Sequence, residues 1–465
     1  MKEFIKNASI STIANFFVLI VSALSTLLFP RVLSVSEYSY WQLYVFYTGF
    51  VTLAGIGIVE GVYLLNGGKE YKQLEGDKLS FCNYSLLIIT IVIFTIIGSV
   101  FSLTSKDLIT RLIILLACIE GIIYNLRVYP LFLFQATKRI KEFAIAIFLG
   151  RLAFIVFSLT SLMLGEYKLY AFILSDVIGC IACLIYSWWK SRDKILIKPC
   201  SFESGITYLK SSVKAGVNLL LATIIGVAII GVMKYFIKLG WDIVEFGKIS
   251  LILTFTNLFL KFATSVGQVL FPTLCNFSLD KLKRMFQTLI KVIDMLFVII
   301  FVFYYPIQII MINYLPKYAD VLIYMSLLLP LCIFETKVAL IFNTYCKALR
   351  EEKTLMKINI YTFIVSLILA IVFSVVLKSI TLCTASILFV IALRAIWLEI
   401  YISRKVLKIG TCYGVESLII SAIFVISFYC LKGLSGCALY SLFAITYIIC
   451  NIKNIKIIYK KIKQK

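Results

Sequence analysis

The residues able to do chemistry in this chain are ionisable side chains set inside long apolar runs. The cations are Arg127, Arg151, Lys214, Lys234, Lys261, Lys337 and Arg394; the anions are Glu60, Glu120, Asp176, Asp294, Glu335 and Glu399. Such runs read as membrane spans, and a charge at the centre of a bilayer costs at least about 2.5–3.5 kcal/mol. Groups kept there face a wet cavity, pair with an opposite charge or serve the activity. Lys261 and Arg151 fall near the middle of their runs, too deep to reach water comfortably. Lys214 and Lys234, on one run, lie about 30 Å apart along a helix and mark two mouths of one path or else snorkel outward. Arg31, directly after Pro30, closes the outer end of the first run. A cavity lined by Arg31, Arg151, Lys214, Lys234 and Lys261 suits an anionic cargo such as phosphate or pyrophosphate, because Lys and Arg supply charge-assisted hydrogen bonds.

The acids and thiols need a separate reading. Glu60 lies within Gly55-Ile56-Gly57-Ile58-Val59-Glu60-Gly61, where glycines weaken a helix and admit another backbone or a ligand. Its carboxylate is a coupling-ion site, a partner for a cavity lysine or a buried structural acid. The chain has no histidine, which removes imidazole relays, imidazole metal ligands and Ser-His triads. Coupling to H+ or Na+ would then need a carboxylate such as Glu60 or Asp176. Glu120 and Arg127, seven apart, share a helix face and read as a self-contained couple. Asp294 and Glu399 fall near span ends, at headgroup depth. The thirteen cysteines lie mostly in apolar runs. Cys180 and Cys183 have CxxC spacing without a second pair and read as small buried hydrophobes. No catalytic residue, metal site or bound cofactor is expected.

The elements that must position these groups follow from composition. Of 465 residues, 62% are hydrophobic and 15% charged, which excludes a soluble enzyme, a disordered scaffold and a nucleic-acid-binding domain. At about 20 residues per span, that is enough for about fourteen helices. The runs are continuous rather than alternating, so a transmembrane barrel is excluded too. The breaks predict helices over 9–30, 40–65, 81–103, 109–136, 143–164, 169–189, 211–237, 247–272, 288–312, 320–346, 357–377, 380–403, 413–431 and 436–452. Val21-Ser22-Ala23 resembles a signal cleavage site, but the apolar stretch continues to Phe29, so the first helix is read as retained. Pro130, Pro272, Pro306 and Pro330 mark expected kinks. The longest polar segment, near Ser191–Lys210, leaves no room for a soluble domain, and no GxxxxGK[ST] phosphate loop is present.

Orientation follows from charge. With the N-terminus cytoplasmic, thirty Lys and Arg fall on that side and nine on the other, which predicts both termini inside. Features also recur about 210 residues apart. Leu33…Glu37-Tyr38-Ser39 echoes Leu239…Glu245-Phe246-Gly247, Gly57 echoes Gly267, and Lys138-Arg139 echoes Leu349-Arg350. The expected fold is an all-α polytopic membrane protein with 14 transmembrane helices. Two six-helix lobes, 1–195 and 205–408, are related by a pseudo-twofold axis along the membrane normal. Residues 409–465 add helices 13 and 14 and a basic tail. Lobes duplicated in this way rock around a central cavity in transporters.

Phe29-Pro30-Arg31-Val32-Leu33-Ser34-Val35-Ser36-Glu37-Tyr38, then Gly55 through Gly61 and Gly67-Gly68-Lys69-Glu70-Tyr71, resemble the opening of bacterial lipid-linked oligosaccharide flippases. These form the polysaccharide-transporter branch of the multidrug/oligosaccharidyl-lipid/polysaccharide exporter superfamily. Arg139-Ile140-Lys141-Glu142-Phe143 through Arg151 is also similar; the glycine usual after the Glu-aromatic pair is Ser39 here. The resemblance implies an undecaprenyl-pyrophosphate-linked oligosaccharide cargo, turned from the inner to the outer leaflet of the bacterial cytoplasmic membrane for O-antigen or capsule assembly. It implies alternating access, a cationic cavity meeting the pyrophosphate, and other polysaccharide-assembly membrane proteins as partners. The alternatives are a lipid II flippase, a multidrug exporter, which would favour an acidic cavity, and a membrane polysaccharide polymerase, which would need larger outer loops.

Overall fold

In the computed structural model the described residues are 2–104, 107–163, 168–275, 278–349, 351–409, 414–431 and 433–463. All regular structure among them is helical. Eleven helices are long and apolar enough to cross a membrane, or twelve when one bent pair is taken as a single span. The protein is a multi-pass membrane protein. The described chain forms two compact units, Met1–Val227 and Ala228–Lys465.

The first unit contains α1 (Lys2–Val32), α2 (Val35–Thr48), α3 (Ile58–Asn66), α4 (Gly76–Thr104), α5 (Leu108–Ala136), α6 (Ile140–Met163), α7 (Lys168–Ile195) and the start of α8 (Phe202–Gly240). Helix α2 begins at a capping box: the Ser34 hydroxyl accepts from the Glu37 N–H at 3.2 Å, and the Ser34 N–H donates to Glu37 Oε2 at 2.8 Å. The continuous helix expected over 40–65 is instead broken, with a 60° bend. Ile56 (φ 50°) and Gly57 (φ 83°) take left-handed conformations there. The glycines that weaken this segment admit a backbone: a Cβ on Gly61 would overlap the Ser212 carbonyl of α8. The polar linker expected over Ser191–Lys210 shortens to residues 196–201, because α7 and α8 extend into it from both sides.

Helices α6 and α7 cross at two glycines. A Cβ on Gly179 would come 2.7 Å from the Gly150 carbonyl oxygen, and one on Gly150 2.9 Å from that of Gly179. Small residues at such a crossing let backbones approach, which is how helices associate where no water drives them together. At one end of the unit the loops are clasped. The Gly68 N–H donates to the Ala136 carbonyl at 3.0 Å. The Arg139 guanidinium lies 4.2 Å from the Tyr71 ring centre and pairs with Glu142 at 3.0 Å. Tyr71 donates to Asp193 at 2.8 Å, and Lys194 to the Leu74 carbonyl at 2.8 Å.

The second unit holds the rest of α8, then α9 (Ile243–Cys275), α10 (Leu279–Val302), α11 (Tyr304–Tyr314), α12 (Met325–Leu328), α13 (Leu331–Thr336), α14 (Asn343–Ala348), α15 (Glu352–Ile371), α16 (Ile380–Ile400), α17 (Gly414–Val425) and α18 (Gly433–Lys463). Two of the expected kinks are breaks: the chain restarts at α11 with Pro306 in its first turn, and Pro330 separates α12 from α13. A π-helical segment, Lys337–Phe342, links α13 to α14. The start of α9 echoes that of α2, since the Glu245 N–H donates to the Asp242 side chain at 2.8 Å. Rings join α10, α11, α17, the turn after it and α18: Phe301 on Phe424 at 4.4 Å, Tyr304 on Phe428 at 4.6 Å and Phe424 on Tyr440 at 5.5 Å.

Candidate functional site

The glycine crossing of α6 and α7 fixes the first part of the site. Arg151 follows Gly150, and Asp176 lies one turn before Gly179, so the close backbones set these side chains opposite each other. Arg151 Nη1 is 3.9 Å from Asp176 Oδ1, and the two side chains are 38% and 23% exposed. That is a loose, partly open pair. Helix α2 supplies the next contact, where the buried Tyr44 hydroxyl donates to Asp176 Oδ2 at 3.2 Å.

Helix α5 brings Glu120, which is 3% exposed. Its Oε1 accepts from the Cys180 thiol at 3.5 Å, while its Oε2 is buried with no hydrogen-bond partner. One carboxylate oxygen each from Glu120 and Asp176 and the Cys180 sulfur lie within 4.8 Å of one another. The expected Glu120–Arg127 couple does not form an ion pair among the described residues. Arg127 instead lies 4.9 Å from the Tyr124 ring centre, with its Nε buried and unpartnered. Cys180 and Cys183 are free and buried, as expected of small hydrophobes, and the Cys180 thiol also donates to Glu120.

Of the residues expected from sequence, the structure brings Arg151 and Asp176 together. Arg31 is exposed in the last turn of α1, where the helix dipole favours a cation. Glu60 is half-buried in the first turn of α3, beside the Gly61–Ser212 approach. Lys214 is exposed on α8. Lys234 belongs to the second unit, half-buried, with its ammonium 5.1 Å from the Phe246 ring centre. The side chain of Lys261, on α9, lies outside the described residues.

Spacing along the sequence did not reveal Glu120, Cys180 or Tyr44 as members of this cluster, since their partners come from other helices. Asp294 and Glu399 were expected at headgroup depth, but they are 0% and 2% exposed. Asp294 pairs with Lys337 at 2.7 Å, and Ser417 lies 2.5 Å from that ammonium and 3.1 Å from Asp294 Oδ1. Arg394 approaches Glu335 at 3.7 Å and donates to Asn359 at 2.9 Å. These second-unit charges are enclosed and answered. An apolar cavity of about 310 Å³ beside α2, α4 and α5, lined by Tyr47, Phe50, Phe94 and Cys118 among others, has no charged group in its wall.

At the clasped loops, burial and then the hydrogen bond to Asp193 hold the Tyr71 phenol well above its usual value. The Gly67–Tyr71 and Arg139–Glu142 segments are held together by these contacts, away from the cluster around Arg151. That cluster offers a guanidinium able to bind an anion, and beside it two carboxylates able to take a cation or a proton.

This all-helical arrangement is the fold of known transporters. One solved structure, an inward-facing multidrug resistance MATE family transporter of the MOP superfamily, superposes with TM-score 0.61 at 12% identity, covering 93% of this chain and 99% of that one. Another, described as lipid II flippase MurJ in an inward closed conformation, gives 0.63 at 17% identity, covering 95% and 99%. A MATE structure in complex with MaD5 gives 0.52 at 13%, covering 85% and 93%. No curated protein matches the chain in sequence. A family profile described as "Polysaccharide biosynthesis protein" matches residues 4–278, more than half of the chain. The chain belongs to that family.

Proposed function

We propose that the protein is a flippase carrying an undecaprenyl-pyrophosphate-linked oligosaccharide from the inner to the outer leaflet of a bacterial cytoplasmic membrane. The end use is a surface polysaccharide such as O-antigen or capsule. The observation that carries this reading is the family match over residues 4–278. Helices α1 and α9, 31 and 33 residues long, are read as two further spans, which brings the count to fourteen. The excess of Lys and Arg in alternate loops supports cytoplasmic termini.

In this reading Arg151 meets the diphosphate. It is partly exposed, sits mid-helix and is held only at 3.9 Å by Asp176, so an incoming phosphate oxygen can take over its donors. Charge-assisted bonds to phosphate are short and strong. Arg31, Lys214, Lys234 and Lys261 extend the cationic lining, and Glu60 and Asp176 are the carboxylates assigned to ion coupling. The two lobes alternate between inward and outward access while the polyprenyl tail stays in lipid. No covalent bond is made or broken, and other polysaccharide-assembly membrane proteins act before and after.

Deletion of the gene tests the reading. Lipid-linked repeat units should accumulate while growth continues. Lysis would point instead to a peptidoglycan precursor, and altered drug tolerance alone to a multidrug exporter.

A further inference from the structure

The first-unit cluster has a charge balance that a bound anion would upset. Arg127 and Arg151 face Glu120 and Asp176, two positive against two negative. Glu120 nevertheless has a buried oxygen with no donor, and Asp176 holds Arg151 only at 3.9 Å. The groups facing this pair are Tyr44 from α2, Tyr124 and Arg127 from α5 itself, Arg151 from α6 and Cys180 from α7; Glu60 of α3 interacts with Tyr124, and Cys183 of α7 with the two arginines. Helix α4 meets this part of α5 through the apolar ring of Phe94 on Gly121.

An anion that takes Arg151 leaves two neighbouring carboxylates with no arginine at ion-pair distance among the described residues. Like charges so close in a site of low dielectric cannot both persist. A proton on Glu120 removes one charge and turns the unpartnered oxygen into an O–H able to donate. A sodium ion would answer the charge too, but hard cations prefer all-oxygen shells. Here one of three mutually close ligand atoms is a thiol sulfur, and a guanidinium stands 3.9 Å from Asp176.

We infer that Glu120, together with Asp176, forms a proton-binding site, filled from water when an anionic headgroup draws Arg151 away from Asp176. The step is one O–H bond formed on a carboxylate, with nothing oxidised or reduced. It rests on the reading that Arg151 meets the headgroup. By linkage, acid tightens headgroup binding as much as the headgroup tightens proton binding.

The test uses the purified full chain in lipid nanodiscs, in weak buffer with a pH dye, titrated with inorganic pyrophosphate. Wild type should take up about one proton more per bound pyrophosphate than Glu120→Gln, because linkage ties the two events together. The comparison cancels protons bound by pyrophosphate itself. Asp176→Asn, measured alongside, should also lose the extra proton. Equal proton uptake by all three proteins overturns the proton site and leaves the flippase reading standing. So does pyrophosphate binding that requires sodium and takes up no proton. No binding by any of them overturns both.

Discussion

The two units treat buried charge in opposite ways. In the second, Lys337 and Asp294 are 1% and 0% exposed, meet at 2.7 Å and have Ser417 against both. In the first, Arg151 and Asp176 stand 3.9 Å apart and partly open, with Glu120 and Arg127 each keeping a buried atom unpartnered. A closed, fully answered triad tying α10, the π-segment and α17 together is suited to holding helices in place. A cluster left loose is suited to exchanging partners. Placement of ionisable groups inside spans identifies both, and only the geometry separates a clasp from a site.

The contrast can be broken by substitution. The largest effect is expected at the clasp: Lys337→Met should cost about 3–5 kcal/mol, because it strands a buried carboxylate. Adding Asp294→Leu should recover much of it, as read by thermal unfolding in detergent. If the single variant unfolds like wild type, the triad is not a clasp. Next comes the crossing that positions the site. Gly179→Leu should cost about 1–3 kcal/mol through overpacking and should also impair transport, since it pushes Arg151 away from Asp176.

Tyr71→Phe at the loop clasp should cost about 1 kcal/mol, the usual net worth of a hydrogen bond. Its pH dependence has a definite sign. The folded phenol is held above its ordinary value, so the unfolded chain releases its proton first, and stability falls as pH rises past about 10. Tyr71→Phe should lack that contribution in unfolding curves collected on either side of that pH. Smallest in stability is Arg151→Gln, at no more than about 1 kcal/mol for a loose, half-exposed pair. A large loss of stability in this variant would make Arg151 a clasp like Lys337.

Much of this architecture was legible in the sequence. Apolar runs gave most helices to within several residues. Depth along a run also singled out Arg151, and Asp176 was already marked as a coupling acid. What stayed hidden depends on which helices become neighbours. Spacing within one helix paired Glu120 with Arg127, yet its thiol partner Cys180 is on α7. Asp294 looked peripheral because its partner, Lys337, is delivered by a π-segment that no periodicity announces. The glycines around Gly57 signalled a weak helix, but α8 decides what occupies the gap.

The role proposed for Arg151 is in transport and not in the fold. Its most direct test is the pool of lipid-linked repeat units in cells carrying Arg151→Gln at wild-type membrane levels. The pool should accumulate and surface polysaccharide disappear, while cells carrying the Lys337→Met/Asp294→Leu pair should still export. A normal pool and normal export with Arg151→Gln would contradict it.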